Sequence, residues 1–419
     1  MRAALFKLAS RSLWNRRATA ALIVASVAIS VALLLTVRQL NGQARSAFTN
    51  TVSDTDLIVG ARSSQINLLL YSVFRLGDAT NNVSWRTFER LAKHRDVAWA
   101  IPLSLGDSHR GFRVLGTNQT YFRHYRFGHD QPLEFAAGEP LQDLYDTVIG
   151  AEVARQLGYV LGDRIVIAHG LGSASFSQHK NKPFTITGIL RPTGTPVDRT
   201  VHVGLEAIEA IHMDWQPGTQ GLGSVPAAEQ AGDLAPSMIT AMLIGLKSKL
   251  ATFRMQRAIN EFEGEPLLAI LPGVALQQLW SIVGIVETAL TAVSAIVVVS
   301  ALLCLLTAIL TGLNERRREM AILRSVGARP WQVFFLFMSE AGLLAVLGIA
   351  AGLLATYGAL ALARPILQDR FGLLIELAML SAGDFVALAS IALAALVVGA
   401  IPAWRAYRRT LADGLTMRI

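Results

Sequence analysis

Two regions of the chain hold the residues with chemistry to offer. The first is the stretch from 94 to 212, which contains all eight histidines. Part of that clustering is trivial, because long apolar segments elsewhere exclude histidine. His124 and His129 stand in a Tyr/Arg-rich stretch, and His169 and His179 flank a Ser/Gly loop, so these four are the candidate ligands for a transition metal. None of them shows tight ligand spacing such as His-x-x-x-His. Nucleotide chemistry has less to stand on. Gly170-Leu-Gly-Ser-Ala-Ser lacks the Gly-Lys-Ser/Thr ending and the following helix of a phosphate-binding loop. No Ser-His-Asp or paired-carboxylate arrangement stands out, so no catalytic residue is assigned.

The second region runs from Leu313 to Trp331 and reads Leu-Asn-Glu-Arg-Arg-Arg-Glu-Met-Ala-Ile-Leu-Arg-Ser-Val-Gly-Ala-Arg-Pro-Trp. Acids and bases alternate, Met320, Leu323 and Val326 form an apolar stripe, and Gly327-Ala328 makes a turn. Those features suit a helix that docks into another protein. The plainer alternative is a positively charged loop whose charges are solvated.

The elements around this segment are strongly apolar. Four stretches carry no charge: Ala18–Val37, Thr288–Asn314, Ala341–Ala363 and Phe385–Trp404. Each reaches the roughly 20 residues that a helix needs to cross about 30 Å of hydrocarbon. The first is longer than the roughly 7–15 apolar residues of a signal peptide and lacks a good cleavage site, so it reads as an uncleaved span. The net charge of +8 divides into +6 over residues 1–40, −1 over 41–278 and +3 over 279–419. The high pI is therefore a topological signal, with no basic patch to suggest nucleic acid. The Lys/Arg-rich flanks place both termini and the 316–329 loop on the inner side, with 38–280 and 364–384 outside. The single cysteine, Cys304, falls inside the second span and excludes an intrachain disulfide.

These features predict the organisation of the chain. Residues 1–17 form an amphipathic helix on the inner surface, 18–49 the first span and its stalk, and 50–278 an outer α+β domain. Spans at 279–313, 332–363 and 384–404 are separated by the 314–331 helix and a 364–383 loop, and 405–419 is an inner tail. Within the outer domain, strands at 56–61, 97–101, 111–115, 239–246 and 266–271 and helices at 84–94 (capped by Ser84) and 250–262 read as a split, ferredoxin-like lobe. The alternative is two unrelated α/β pieces. A β-rich insertion occupies roughly 121–235, with a mobile loop expected at 216–237. Ile66–Phe74 is apolar on nearly every position, either as a buried element or as a greasy surface lining a cleft. In the third span, Glu340 is costly unless neutral, paired or near headgroups, and reads as interfacial or structural. Gly348 and Gly352 form a small-xxx-small face that serves a dimer seam or intrachain packing.

The 313–331 segment resembles the cytoplasmic loop of ABC-transporter permeases of the MacB/FtsX/LolCE family, which reads roughly E-R-x-R-E-I-G-I-x-R-A-x-G-A. Glu315, Arg316, Arg318, Glu319, Ile322, Arg324, Gly327 and Ala328 stand at the matching positions, with Met320, Ala321 and Ser325 as mild departures. The tail Ile401-Pro-Ala-Trp-Arg-Ala resembles the family's P-A-x-R-A-A-x-x-x-P-x-E-A-L ending, departing at Leu411 and Asp413. The run Ala154-Arg-Gln-Leu-Gly-Tyr-Val-Leu-Gly-Asp-Arg-Ile165 is similar to the family's periplasmic core domain.

The resemblance implies an α-helical membrane protein with four transmembrane helices and a large α+β periplasmic domain, in a bacterial inner membrane. It implies a permease subunit that transmits ATP-driven motion to the periplasm, where cargo is exported or extracted. ATP and Mg would bind a separate cytoplasmic ABC ATPase, and this chain would carry no cofactor. Arg316, Arg318 and Arg324 would face acidic residues of that ATPase, while Met320 and Leu323 fill a groove. A second permease copy completes the assembly, with a periplasmic adaptor or binding protein as a further partner. An FtsX-like regulator of a periplasmic hydrolase, LolCE-like lipoprotein release and metal-linked transport are the other readings.

Overall fold

The computed structural model describes residues 17–49, 51–169, 182–213, 215–216, 219–220, 234–315, 322, 325–371 and 379–408. The amphipathic segment at 1–16, the tail from 409 and most of the 216–237 stretch lie outside the described residues. The first apolar stretch folds as α1 (Arg17–Thr49). The chain divides into a helical unit (Met1–Gln43, Gly284–Ile366 and Ile375–Ile419) and a mixed unit (Ala44–Val283 and Leu367–Leu374).

The mixed unit is built on one sheet. Its main strands are β1 (Leu57–Ala61), β2 (Val97–His109), β3 (Phe112–Thr117), β4 (Phe135–Gly138), β5 (Asp146–Ile149), β6 (Phe184–Leu190), β7 (Thr200–Gly204), β8 (Ala241–Leu246) and β9 (Leu267–Ile270). The helices are α2 (Gln65–Ser72), α3 (Trp85–Ala92), α4 (Gln119–His124), α5 (Ala151–Leu157), α6 (Leu205–Met213) and α7 (Thr252–Asn260). Strand order is β9-β1-β8-β2-β3-β7-β5-β6-β4. The first four, all antiparallel to their neighbours, make the split β-α-β-β-α-β lobe expected from the sequence. Ser84 starts α3 by accepting a hydrogen bond from the Thr87 N–H at 3.3 Å. Phe88 and Leu91 of α3, with Met255 and Ile259 of α7, then cover Leu57, Val59, Met242 and Ile244 on one face. Each such side chain contributes about 1.5–3 kcal/mol on full burial.

The other face explains Ile66–Phe74. These residues fold as α2 and the turn after it, N-capped by Ser64, which accepts from the Asn67 N–H at 3.0 Å. Leu68, Leu69, Tyr71, Val73 and Phe74 are buried with Ile58, Ile101 and Leu243. The greasy-cleft reading is thus overturned. A helix apolar on nearly all sides is one that packs into a core. A sheet covered on both faces also accounts for β1, whose five residues are all buried.

β2 is longer than the strand expected at 97–101. Its first half pairs with β8 as far as Leu103, and its second half pairs with β3 from Ser104 onward, with a bulge between Leu105 and Ser108. The second lobe therefore begins inside a strand, earlier than the insertion boundary expected near 121. Its core gathers Val114, Ile149, Val153, Phe184, Ile186, Val201 and Ile208.

The remaining apolar stretches fold as α8 (Pro272–Glu315), α9 (Pro330–Phe371) and α10 (Ala382–Arg408). With α1 they are four helices long and apolar enough to cross a membrane. The 44 residues of α8 extend roughly 66 Å at 1.5 Å per residue, about twice the hydrocarbon thickness. Helix α9 continues through Pro365 to Phe371, into the stretch expected as a loop from 364.

Candidate functional site

The segment expected to dock, 314–331, is described at its edges. Glu315 is the last residue of α8. The side chain of Glu315 and residues Arg316, Arg318, Glu319, Met320, Leu323 and Arg324 lie outside the described residues. The carboxyl-terminal edge is held by a chain of backbone contacts. The Val326 N–H donates to the Ile322 carbonyl at 3.1 Å, closing a last helical turn. Gly327 then adopts φ +99°, a left-handed conformation that favours glycine, and so ends the helix. Ala328 and Arg329 lead into α9. The Arg329 N–H donates to Gln332 Oε1 at 2.7 Å, and the Gln332 N–H donates to the Arg329 carbonyl at 2.9 Å. Pro330 occupies the first helical position, where its missing N–H costs nothing.

This geometry leaves an apolar edge uncovered. Ile322 is 54% exposed, Val326 83% and Trp331 43%. Ile322 and Val326 are four residues apart on one helical face. Val326 belongs to the stripe expected from the sequence. Trp331 carries no such signal beyond the proline before it, which starts a new helix and turns the indole outward.

The helical unit packs around small residues. A Cβ on Gly348 would stand 2.6 Å from Val27, and one on Gly352 would stand 2.7 Å from Val31 and 2.8 Å from the Ala28 carbonyl. Both glycines therefore face α1 of the same chain, and the dimer-seam role is not the one this face serves. A third close approach, Ala341 Cβ to the Cβ position of Gly399 at 2.5 Å, joins α9 to α10. Beside it Glu340 is buried, at 9% exposure. Ser30 Oγ donates to the Val297 carbonyl at 3.2 Å, tying α1 to α8.

One end of the helical unit is held by polar contacts. Ser381 and Asp384 form a reciprocal cap at the start of α10. The Ser381 N–H donates to Asp384 Oδ2 at 2.9 Å, and the Asp384 N–H donates to Ser381 Oγ at 3.2 Å. Arg38 Nε of α1 donates to Asp384 Oδ1 at 2.8 Å, and Gln39 Nε2 donates to the Tyr357 hydroxyl at 3.3 Å. The two contacts of α1 are not legible in the sequence, because each joins residues hundreds of positions apart.

The histidines of the mixed unit are placed by packing. His124 stacks on Trp99 with centroids 5.6 Å apart. Burial, helped by Arg123 and Arg126, holds its imidazole below the ordinary value. His129 is exposed, the side chain of His169 is not described, and His179 lies outside the described residues. Among the described residues no group of three potential ligands gathers. His109 donates from Nδ1 to the Val166 carbonyl at 2.7 Å and accepts from the Tyr159 hydroxyl at 2.9 Å. Burial depresses it. His202 is buried against Tyr121 and Phe122, with Nδ1 donating to the Val148 carbonyl at 3.1 Å. Burial, and then the nearby Arg75 charge, push it down to about 3. His109 and His202 are thus core histidines held neutral.

Two known domain families match the chain. The MacB-like periplasmic core domain covers residues 19–236. The FtsX-like permease C-terminal domain covers residues 291–411. Among solved structures, the periplasmic region of MacB from Actinobacillus actinomycetemcomitans aligns at 9% sequence identity and a TM-score of 0.35, over 55% of this chain and 94% of that one. The extracellular domain of the ABC-type transporter YknZ from Gram-positive bacteria aligns at 12% identity and a TM-score of 0.31, over 52% of this chain and 99% of that one. No curated protein matches the chain.

Proposed function

Because the chain belongs to the family that joins a MacB-like periplasmic core domain to an FtsX-like permease domain, we propose that it receives ATP-driven motion at residues 314–331 and delivers it to its periplasmic domain. It is a multi-pass permease subunit of a MacB/FtsX-type ABC transporter, a family whose permeases typically lack catalytic activity of their own. The family implies a partner ATPase. In our reading ATP and Mg bind there, and both termini of this chain lie on the same, cytoplasmic side as the docking segment.

The observation that carries the reading is the exposed pair Ile322 and Val326 before the left-handed Gly327, with Trp331 just beyond. An apolar edge of this kind, flanked by Arg316, Arg318, Glu319 and Arg324, suits a groove with an acidic rim. Closure of two ATPases would move this segment, then α8 and α9, and then the periplasmic lobes, so that cargo is exported or extracted without a tunnel. A second permease copy completes the machine, and a periplasmic adaptor or binding protein would receive the cargo. LolCE-like lipoprotein release gains nothing from the 66–74 segment, whose Leu68, Leu69, Tyr71, Val73 and Phe74 are buried in the core.

The test is affinity purification of the tagged chain in mild detergent, followed by mass spectrometry. A P-loop ATPase recovered with the wild type and lost with Ile322→Asp/Val326→Asp supports docking at this edge. A hydrolase recovered in place of cargo-handling proteins would favour the FtsX-like regulator.

A further inference from the structure

The mixed unit contains a cavity of about 880 Å³ that the coupling reading does not use. It opens at the carboxyl ends of β3 and β7, which are parallel neighbours in register from Thr200↔Arg113 to Gly204↔Thr117. The helices that follow these strands leave on opposite faces of the sheet. After β3, α4 buries Tyr121 and Phe122 with Leu115 and Leu103. After β7, α6 buries Ala207, Ile208 and Ile211 with Val114, Val201 and Val203. Where successive helices diverge in this way, neither covers the strand ends and a crevice is left, the usual place for a ligand in an α/β sheet. The cavity lies in that crevice, and its volume is in the range of small-molecule sites.

Its lining selects the ligand. Asp143, Asp146 and Glu206 contribute carboxylates, and among the described lining residues there is no lysine, arginine or histidine. Asp146 is fixed by accepting from the Gln142 and Asp143 N–H groups at 2.8 and 2.7 Å on Oδ2. Glu206 folds back toward the strand end, with Oε2 3.4 Å from the Cβ position of Gly204. Leu141, Leu144 and Leu234 supply apolar wall. The Tyr145 hydroxyl is buried with no hydrogen-bond partner among the described residues, a costly state for a polar group. An anion would be repelled by three carboxylates. A bare metal ion would leave most of the space empty, and among the described residues no three-ligand group exists to hold one. We propose that the crevice binds a small organic cation, an amine-bearing molecule with an apolar body.

The probe is ethidium, a planar organic monocation, titrated into the full-length chain in neutral phosphatidylcholine nanodiscs and followed by fluorescence anisotropy. Saturable binding is expected, displaced by spermidine and weakened at least tenfold in Asp143→Asn/Glu206→Gln. Gly204→Leu, which fills the mouth without changing charge, should weaken it as well, and unchanged thermal midpoints will show that both variants fold. No saturable binding to the wild type, or equal binding to the charge variant, overturns the proposal. The titration contains no ATPase and no nucleotide, so either result leaves the coupling reading where it stands.

Discussion

Gly352 shows how one residue type can be visible in the sequence while its role is not. The small-xxx-small spacing is legible, but periodicity cannot say whether the close partner is another chain or the same one. The 2.8 Å approach of the Ala28 carbonyl assigns it to α1. Gly352→Leu should therefore destabilise the helical unit by about 1–3 kcal/mol through overpacking. Gly358, with nothing within 4 Å of its Cβ position, is the control. Thermal unfolding in nanodiscs should show a lowered midpoint for Gly352→Leu and none for Gly358→Leu. His202 makes a second residue-scale prediction. Its folded value is about 3 against an ordinary value of 6.5, so between those pH values the unfolded chain binds the extra proton. Stability of the periplasmic domain is full above about pH 6.5. It should fall as pH drops toward 3, by about 1.4 kcal/mol per pH unit where the difference is one proton. Pulse proteolysis across that range should show the slope, and His202→Phe should flatten it. Histidines stand out in the sequence as metal candidates because an isolated histidine carries no mark of burial. His202 alternates with Val201 and Val203 along β7, and that pattern is its only signal.

At the scale of elements, the strands, the two lobe helices and the four spans follow from periodicity and length, and Ser84 is recognisable as a cap. The elements that escape a linear reading are those fixed by tertiary context. β2 runs past 101 because two lobes share it, and α2 is a helix because a sheet face needs covering. The start of α10 gives the element-scale prediction. Asp384 both completes the Ser381 cap and accepts from Arg38. Asp384→Ala should lower stability by about 1–2 kcal/mol, the usual cost of a lost cap together with a modest ion pair. Arg38→Ala removes only the pair. Arg38 is 40% exposed, so screening should hold that loss below about 1 kcal/mol. Thermal midpoints of the two variants should separate in that order, and equal losses would mean that the ion pair carries the contact.

At the scale of the whole molecule, the architecture is legible because it depends on features a linear chain displays: four charge-free stretches, asymmetric basic flanks and one motif-bearing segment between spans. The cavity at the ends of β3 and β7 is not legible, since it arises where two strands far apart in sequence become neighbours. The docking segment lies between these cases. Its residue pattern is what marks it as a candidate in the sequence, while the exposure of Ile322 and Trp331 goes with the turn at Gly327 and the helix start at Pro330. The central claim is that this edge touches an ATPase, and site-specific photocrosslinking in native membranes tests it most directly. A photoreactive phenylalanine analogue is placed at Ile322 or Val326, and as a control at Val160, which is 61% exposed in the periplasmic domain. The account predicts an adduct containing a P-loop ATPase from positions 322 and 326 and none from 160. The absence of an ATPase adduct at both inner positions, or an equal one at 160, would contradict it.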